Sequence, residues 1–213
     1  MSTASGQQTM KAAITTDSRP PDTTSSTTGR SSPTCMPTVQ HLCRDGDNTV
    51  AYRRTTGNTP GVMFLPGYMS NMTGGKAVAL ERFCQKAGQA YIRFDYQGCG
   101  VSKGSLNPGV NAFDVWRSDA LAVLDQLTSG PQILVGSSMG GALMLLLALE
   151  RPQRIQALIG VATAVNSDPS TKQVTPDGTY ITPKDFVDKK YQRCLMDDTL
   201  EVHCPIRLLH GMQ

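Results

Sequence analysis

Gln132-Ile133-Leu134-Val135-Gly136-Ser137-Ser138-Met139-Gly140-Gly141 is a short apolar run, a glycine–serine corner and the start of an apolar stretch reaching Glu150. The run is too short for a helix and reads as a buried strand over Gln132–Val135. The stretch from Met139 reads as a helix that stops before Pro152. A serine at a sharp strand-to-helix turn takes a strained backbone conformation, which projects its hydroxyl above the sheet. Its neighbours two positions away must be tiny, because strand and helix nearly touch there. Gly136 and Gly140 meet that need. The bare pattern G-x-S-x-G arises by chance in roughly one chain in fifteen of this length, given ~7% usage of each residue. Its position directly between a buried strand and a helix is therefore what carries the reading.

Working outward, strand and helix signals alternate. Val39–Arg44 and Thr49–Thr55 read as two strands around the turn Asp45-Gly46-Asp47-Asn48. Gly61–Leu65 is a buried strand ended by Pro66-Gly67, and Tyr91–Phe94 is another. Lys76–Ala87 has Leu80, Phe83, Cys84 and Ala87 on one helical face, and Gly88 stops it. Ala112–Leu127 spaces Phe113, Trp116, Ala120, Leu121, Leu124 and Leu127 as a helix. Ile155–Ala162 and Ile206–Leu209 are the last strands. Such alternation implies a mostly parallel sheet with helices on both faces, an α/β class chain. Residues 163 to about 204 break the rhythm and read as a short lid insertion with one weak helix near Pro183–Leu195. An insertion there sits over the carboxyl ends of the strands, where open α/β sheets bind ligands.

The residue types at the corner point to acyl transfer. Ser138 is the expected nucleophile. The helix start places free N–H groups and positive dipole beside it, which makes the Met139 N–H an expected oxyanion donor. The second donor should come from the loop ending an earlier strand, here Phe64-Leu65-Pro66-Gly67-Tyr68, so the Tyr68 N–H is the expected partner. Phe94-Asp95-Tyr96-Gln97-Gly98-Cys99-Gly100 reads as a structural turn in which Asp95 serves the backbone and Cys99 packs as a free thiol. A serine needs a base and an orienting carboxylate, and this architecture orders them Ser, then Asp or Glu, then His. The three histidines, His41, His203 and His210, do not read as that base. Asp168 follows the strand ending at Ala162 and could replace the acid only if a base existed, and Asp197-Asp198 reads as a solvated pair.

Composition narrows the classes. The chain has 213 residues, of which 39% are hydrophobic and 17% charged, with a net charge of +3. That suits one globular domain, here 38–213, plus a tail. No basic face suggests nucleic acid, and no apolar run reaches the ~18 residues of a membrane span. Six scattered cysteines read as free thiols rather than a disulfide or zinc framework, so neither a metal nor another cofactor is expected. Residues 1–37 are rich in Ser, Thr, Pro and Gly, with Lys11, Arg19 and Arg30 against Asp17 and Asp22. That composition fits both a disordered tail and a mitochondrial transit peptide.

The chain resembles the α/β-hydrolase domain-containing mitochondrial enzymes described as palmitoyl-protein thioesterase and mycophenolic acid acyl-glucuronide esterase. The resemblance rests on Phe64–Tyr68, Ile92–Tyr96, Gly130–Gly141, Ala157–Ala164 and Cys204–Met212, and runs from about Gly61 to Met212. It implies the α/β-hydrolase fold, a mitochondrial setting and a serine acyl-enzyme at Ser138. It also implies an S-acylated protein or an acyl glucuronide as substrate, taken by a monomer. The family's acid would fall just past Gly211-Met212 and its base further on, so the chain is expected to be incomplete at its C-terminus. The last strand and closing helix should then be missing, with the strand near Leu208 left as an open edge, almost no activity alone and poor solubility. The rival expectation is a non-catalytic α/β-hydrolase fragment acting as a binding or regulatory module.

Overall fold

The computed structural model describes residues 38–104, 111–164, 173–174, 180–181 and 200–211. In chain order the elements are β1 (Gln40–Cys43), β2 (Thr49–Thr55), β3 (Asn58–Leu65), α1 (Gly75–Lys86), β4 (Gln89–Phe94), α2 (Ala112–Leu127), β5 (Gln132–Ser137) and α3 (Met139–Glu150). A single 3-10 turn (Pro152–Arg154) leads to β6 (Ile155–Val161), followed by β7 (Gln173–Val174), β8 (Tyr180–Ile181) and β9 (Ile206–Leu209).

Seven strands form one sheet in the order β1-β2-β4-β3-β5-β6-β9. Strand β2 runs antiparallel to β1 and β4, and every other pairing is parallel. Strands β3 and β5, at the centre, carry five-residue parallel register from Gly61↔Gln132 to Leu65↔Gly136. The mostly parallel sheet expected from the alternation is therefore present. β7 and β8 form a separate antiparallel pair inside the expected lid, which the sequence reading did not foresee. The tail at 1–37 and the helix expected near Pro183–Leu195 lie outside the described residues, as do Asp168 and Asp197-Asp198.

Alternation along the strands sorts the core into two faces. Met63, Leu65, Ile92, Phe94 and Leu134 pack with α2 and α3 on one side. Val62, Phe64, Tyr91 and Val135 pack with Ala77 and Cys84 of α1 on the other. Helix α3 is buried from Met139 to Ala148, as a helix apolar all round must be. Helix α2 begins where the Asn111 side chain accepts the Phe113 N–H at 2.9 Å, a standard N-cap arrangement.

Helix α1 departs from its expected face. Phe83 is 66% exposed and Glu81 is buried in its place. The cause is Arg93 on β4, whose Nε and Nη2 donate to the two Glu81 carboxylate oxygens at 3.0 and 2.7 Å. A fork-to-carboxylate pair of this kind is geometrically demanding and turns the helix to suit it.

Candidate active site

The site is built at the carboxyl ends of β3, β4, β5 and β6. Strand β5 ends at Ser137, and Ser138 follows with φ 52° and ψ −118° before α3 begins at Met139. A non-glycine residue in that region is strained by about 1–3 kcal/mol and persists only where its surroundings over-determine it. Here the Ser138 N–H donates to the Val161 carbonyl at 3.0 Å, and the Ser138 carbonyl accepts from Gly141 at 2.9 Å and Ala164 at 3.0 Å. Two of those three partners come from the end of β6 and the residues just past it. Ala162 between them is itself at φ 47°.

The glycines are needed for closeness. A methyl group on Gly136 would run into the backbone of Gly140 and Gly141, and one on Gly140 into the carbonyl oxygens of Leu65 and Pro66. The first contact is the strand–helix approach expected from the sequence. The second shows that Gly140 is constrained by β3 rather than by its own strand. Gly141 and Gly160 leave room for Thr163, which is buried, with an Oγ1 that has no hydrogen-bond partner among the described residues.

The loop leaving β3 lies beside the corner. A methyl group on Gly67 would stand 3.2 Å from the Ser137 carbonyl oxygen and 3.4 Å from Ser138 Cβ. Tyr68 follows, half-buried, with its ring set edge-on to Trp116 at 5.7 Å between centroids. Met139 is fully buried at the first position of α3. The structure therefore brings Ser138, Met139, Gly67 and Tyr68 to one place.

Asp95 serves the backbone. Its Oδ1 accepts the Met72 N–H at 2.6 Å and its Oδ2 the Val101 N–H at 2.9 Å. Burial pushes its carboxyl above the usual carboxylate range, opposed by those two N–H groups and by Arg93. Cys99 is buried, and burial raises its thiol to about 11. Asp119, also raised by burial, holds the next turn by accepting from the Gln97 N–H at 2.8 Å and Arg44 Nε at 3.3 Å. Neither Asp119 nor Arg93 was singled out from the sequence, although a lone charge inside the apolar run Tyr91-Ile92-Arg93-Phe94 is a signal that could have been used.

The histidines lie apart from Ser138. His41 is on edge strand β1, its Nδ1 3.3 Å from Thr49 Oγ1. His203 and His210 are exposed and flank β9 at the opposite edge. Among the described residues, no histidine or carboxylate is hydrogen-bonded to the Ser138 hydroxyl. Among the same residues, no group of three His, Cys, Asp or Glu side chains could hold a metal ion, and no helix is long and apolar enough to cross a membrane.

With that geometry in place, residues 60–193 match the family model of the alpha/beta hydrolase fold. The chain belongs to the α/β-hydrolase family. This α/β hydrolase is 41% identical over 197 residues to a rat protein named mitochondrial palmitoyl-protein thioesterase ABHD10, a match covering 83% of this chain and 66% of that one. The human protein of the same name is 42% identical over 187 residues, covering 77% and 60%. The chain thus spans 60 to 66% of the length of these curated relatives. Among solved structures, the mouse alpha/beta hydrolase domain-containing protein 10 superposes with a TM-score of 0.69 at 41% identity, covering 82% of this chain and 78% of that one. A putative hydrolase from Agrobacterium vitis gives 0.64 at 25% identity, covering 81% and 77%. The family resemblance read from the motifs is therefore met by named relatives.

Proposed function

We propose that this α/β hydrolase is a serine thioesterase and esterase that removes acyl groups from S-acylated proteins and cleaves acyl glucuronides. The observation that carries the reading is the strained Ser138 backbone, held at φ 52° between β5 and α3. Strain of this kind is retained where it serves chemistry. Ser138 Oγ attacks the acyl carbon as a general base takes its proton for return to the leaving group, and the carbonyl oxygen becomes an oxyanion between the N–H groups of Met139 and Tyr68. The thiolate or glucuronate oxygen leaves, and water then cleaves the acyl-enzyme. Each oxyanion donor contributes about 3–4 kcal/mol to the transition state. The relatives' names support the acyl-protein substrate and the mitochondrial setting. On the same reading residues 1–37 are a tail or transit peptide, 38–213 the hydrolase domain, and the working form a monomer.

Deprotonating Ser138 requires a base oriented by a carboxylate, and none of the described side chains is placed for that. The observation favours a second reading, in which this chain binds acylated ligands or partners without turnover. One experiment separates the two. A fluorophosphonate probe should label the folded protein, with labelling abolished in Ser138→Ala, and a palmitoylated peptide should lose its acyl group. Folded protein that resists the probe while still binding the peptide supports the non-catalytic reading.

A further inference from the structure

We propose that Arg93 and Asp95 of β4 and its following turn, with Glu81 of α1, are positioning residues that hold the loop carrying the Tyr68 N–H against Ser138. The inference rests on the serine-hydrolase reading above and names the parts that set its second oxyanion donor.

The loop runs from Pro66 to Gly74 and contains two turns. The Ser70 N–H donates to the Gly67 carbonyl at 3.1 Å, and the Gly74 N–H to the Asn71 carbonyl at 3.2 Å. Met69, inside the first turn, is at φ 51° with its side chain 58% exposed. Nothing about an exposed methionine favours a left-handed backbone. The conformation must be imposed by the ends of the turn. One end is Gly67, pressed on Ser137 and Ser138. The other is Met72.

Met72 is gripped on both sides of its peptide unit. Its N–H donates to Asp95 Oδ1 at 2.6 Å, and its carbonyl accepts from Arg93 Nη1 at 2.5 Å. Arg93 cannot swing, because its Nε and Nη2 are both committed to Glu81. Met72, Glu81, Arg93 and Asp95 are each 1% exposed. A buried ion pair of this sort contributes little to stability compared with an apolar pair of the same volume. An apolar pair could fill the space between α1 and β4, but it could not hold the Met72 carbonyl. The placement of a charged pair here is thus explained by what it fixes. Asp95 also binds Val101 N–H, so the loop after β3 is tied to the turn after β4 and moves with it.

The discriminating variant is the apolar double replacement Arg93→Met with Glu81→Leu, which keeps the packing and removes the grip. Asp95→Asn, which keeps the shape, and Arg93→Lys, which keeps the charge, accompany it. The probe is an alkyl fluorophosphonate. The double variant should melt cooperatively, bind the probe with an unchanged inhibition constant, and acylate Ser138 at least about 10-fold more slowly. Arg93→Lys should recover less than half of the wild-type acylation rate. A cooperatively folded double variant that acylates at the wild-type rate overturns the proposal.

Amide exchange on the wild-type protein decides the matter if the variants fail to fold or if wild-type Ser138 is inert. The Met72 N–H should then be as protected as the core amides of β4. A Met72 N–H that exchanges like an exposed loop amide overturns the proposal. Lack of labelling with a protected Met72 N–H sinks the hydrolase reading and leaves the grip intact.

Discussion

The carbonyl oxygen of Ser138 accepts the Ala164 N–H at 3.0 Å, across the gap between β5 and the residues that follow β6. That bond, with the one from Ser138 N–H to Val161, keeps a serine where glycine would be at ease. Ser138→Gly should therefore raise stability by about 1 kcal/mol while abolishing fluorophosphonate labelling. Urea melts of the two proteins, read beside a labelling gel, check both halves. A destabilised glycine variant would show that the corner is not strained in solution.

Gly140 and Gly75 make a contrasting pair. An alanine at 140 meets the Leu65 and Pro66 carbonyls, whereas nothing stands within 4 Å of a methyl group at 75, the first residue of α1. Gly140→Ala should cost about 1–3 kcal/mol or more and displace Ser138. Gly75→Ala should be neutral or stabilising by up to ~1 kcal/mol. Thermal melts of the two variants under one set of conditions test the contrast.

Thr163 Oγ1 is buried between Gly141 and Gly160, without a partner among the described residues. Valine has the same shape without the hydroxyl. Thr163→Val should stabilise the protein by about 1 kcal/mol, because an unmade buried hydrogen bond costs about 1–3 kcal/mol. Thr163→Ala should instead destabilise by opening a void. If Thr163→Val lowers the denaturation midpoint, the hydroxyl has a partner in solution.

Burial raises the thiols of Cys84 and Cys99 to about 11 each, while Cys43 is exposed. At pH 8 a thiol titrating near 11 is a thiolate only about one part in a thousand, and the thiolate is what alkylates. Iodoacetamide at pH 8 should modify Cys43 within minutes and spare Cys84 and Cys99 until the protein unfolds. Raising the pH should speed modification of the buried pair about tenfold per unit, levelling off as it nears 11. Peptide mapping after timed quenching reads the order directly.

What the sequence made legible was local. The corner at Gly136–Gly140 and the bounds of α2 and α3 follow from neighbours within a few residues, such as the apolar spacing from Phe113 to Leu127 and the stop before Pro152. The buried face of α1 was misjudged because Glu81 is buried only by virtue of Arg93 on another element. The grips on Ser138 by Val161 and Ala164, and on Met72 by Arg93 and Asp95, are backbone contacts to distant parts of the chain. No periodicity or spacing encodes them. The short β7–β8 pair has strands of two residues each, too brief to leave an alternating pattern.

The corner is local in sequence, but its geometry is completed only by residues up to Ala164. A chain emerging from the ribosome would have β3 and β5 in hand well before the bonds that lock Ser138 become available. The reactive geometry is thus a late product of assembly, and by the same reasoning an early casualty of heating. Reactivity toward a serine probe should disappear at a lower temperature than the helical signal, and return after it on refolding.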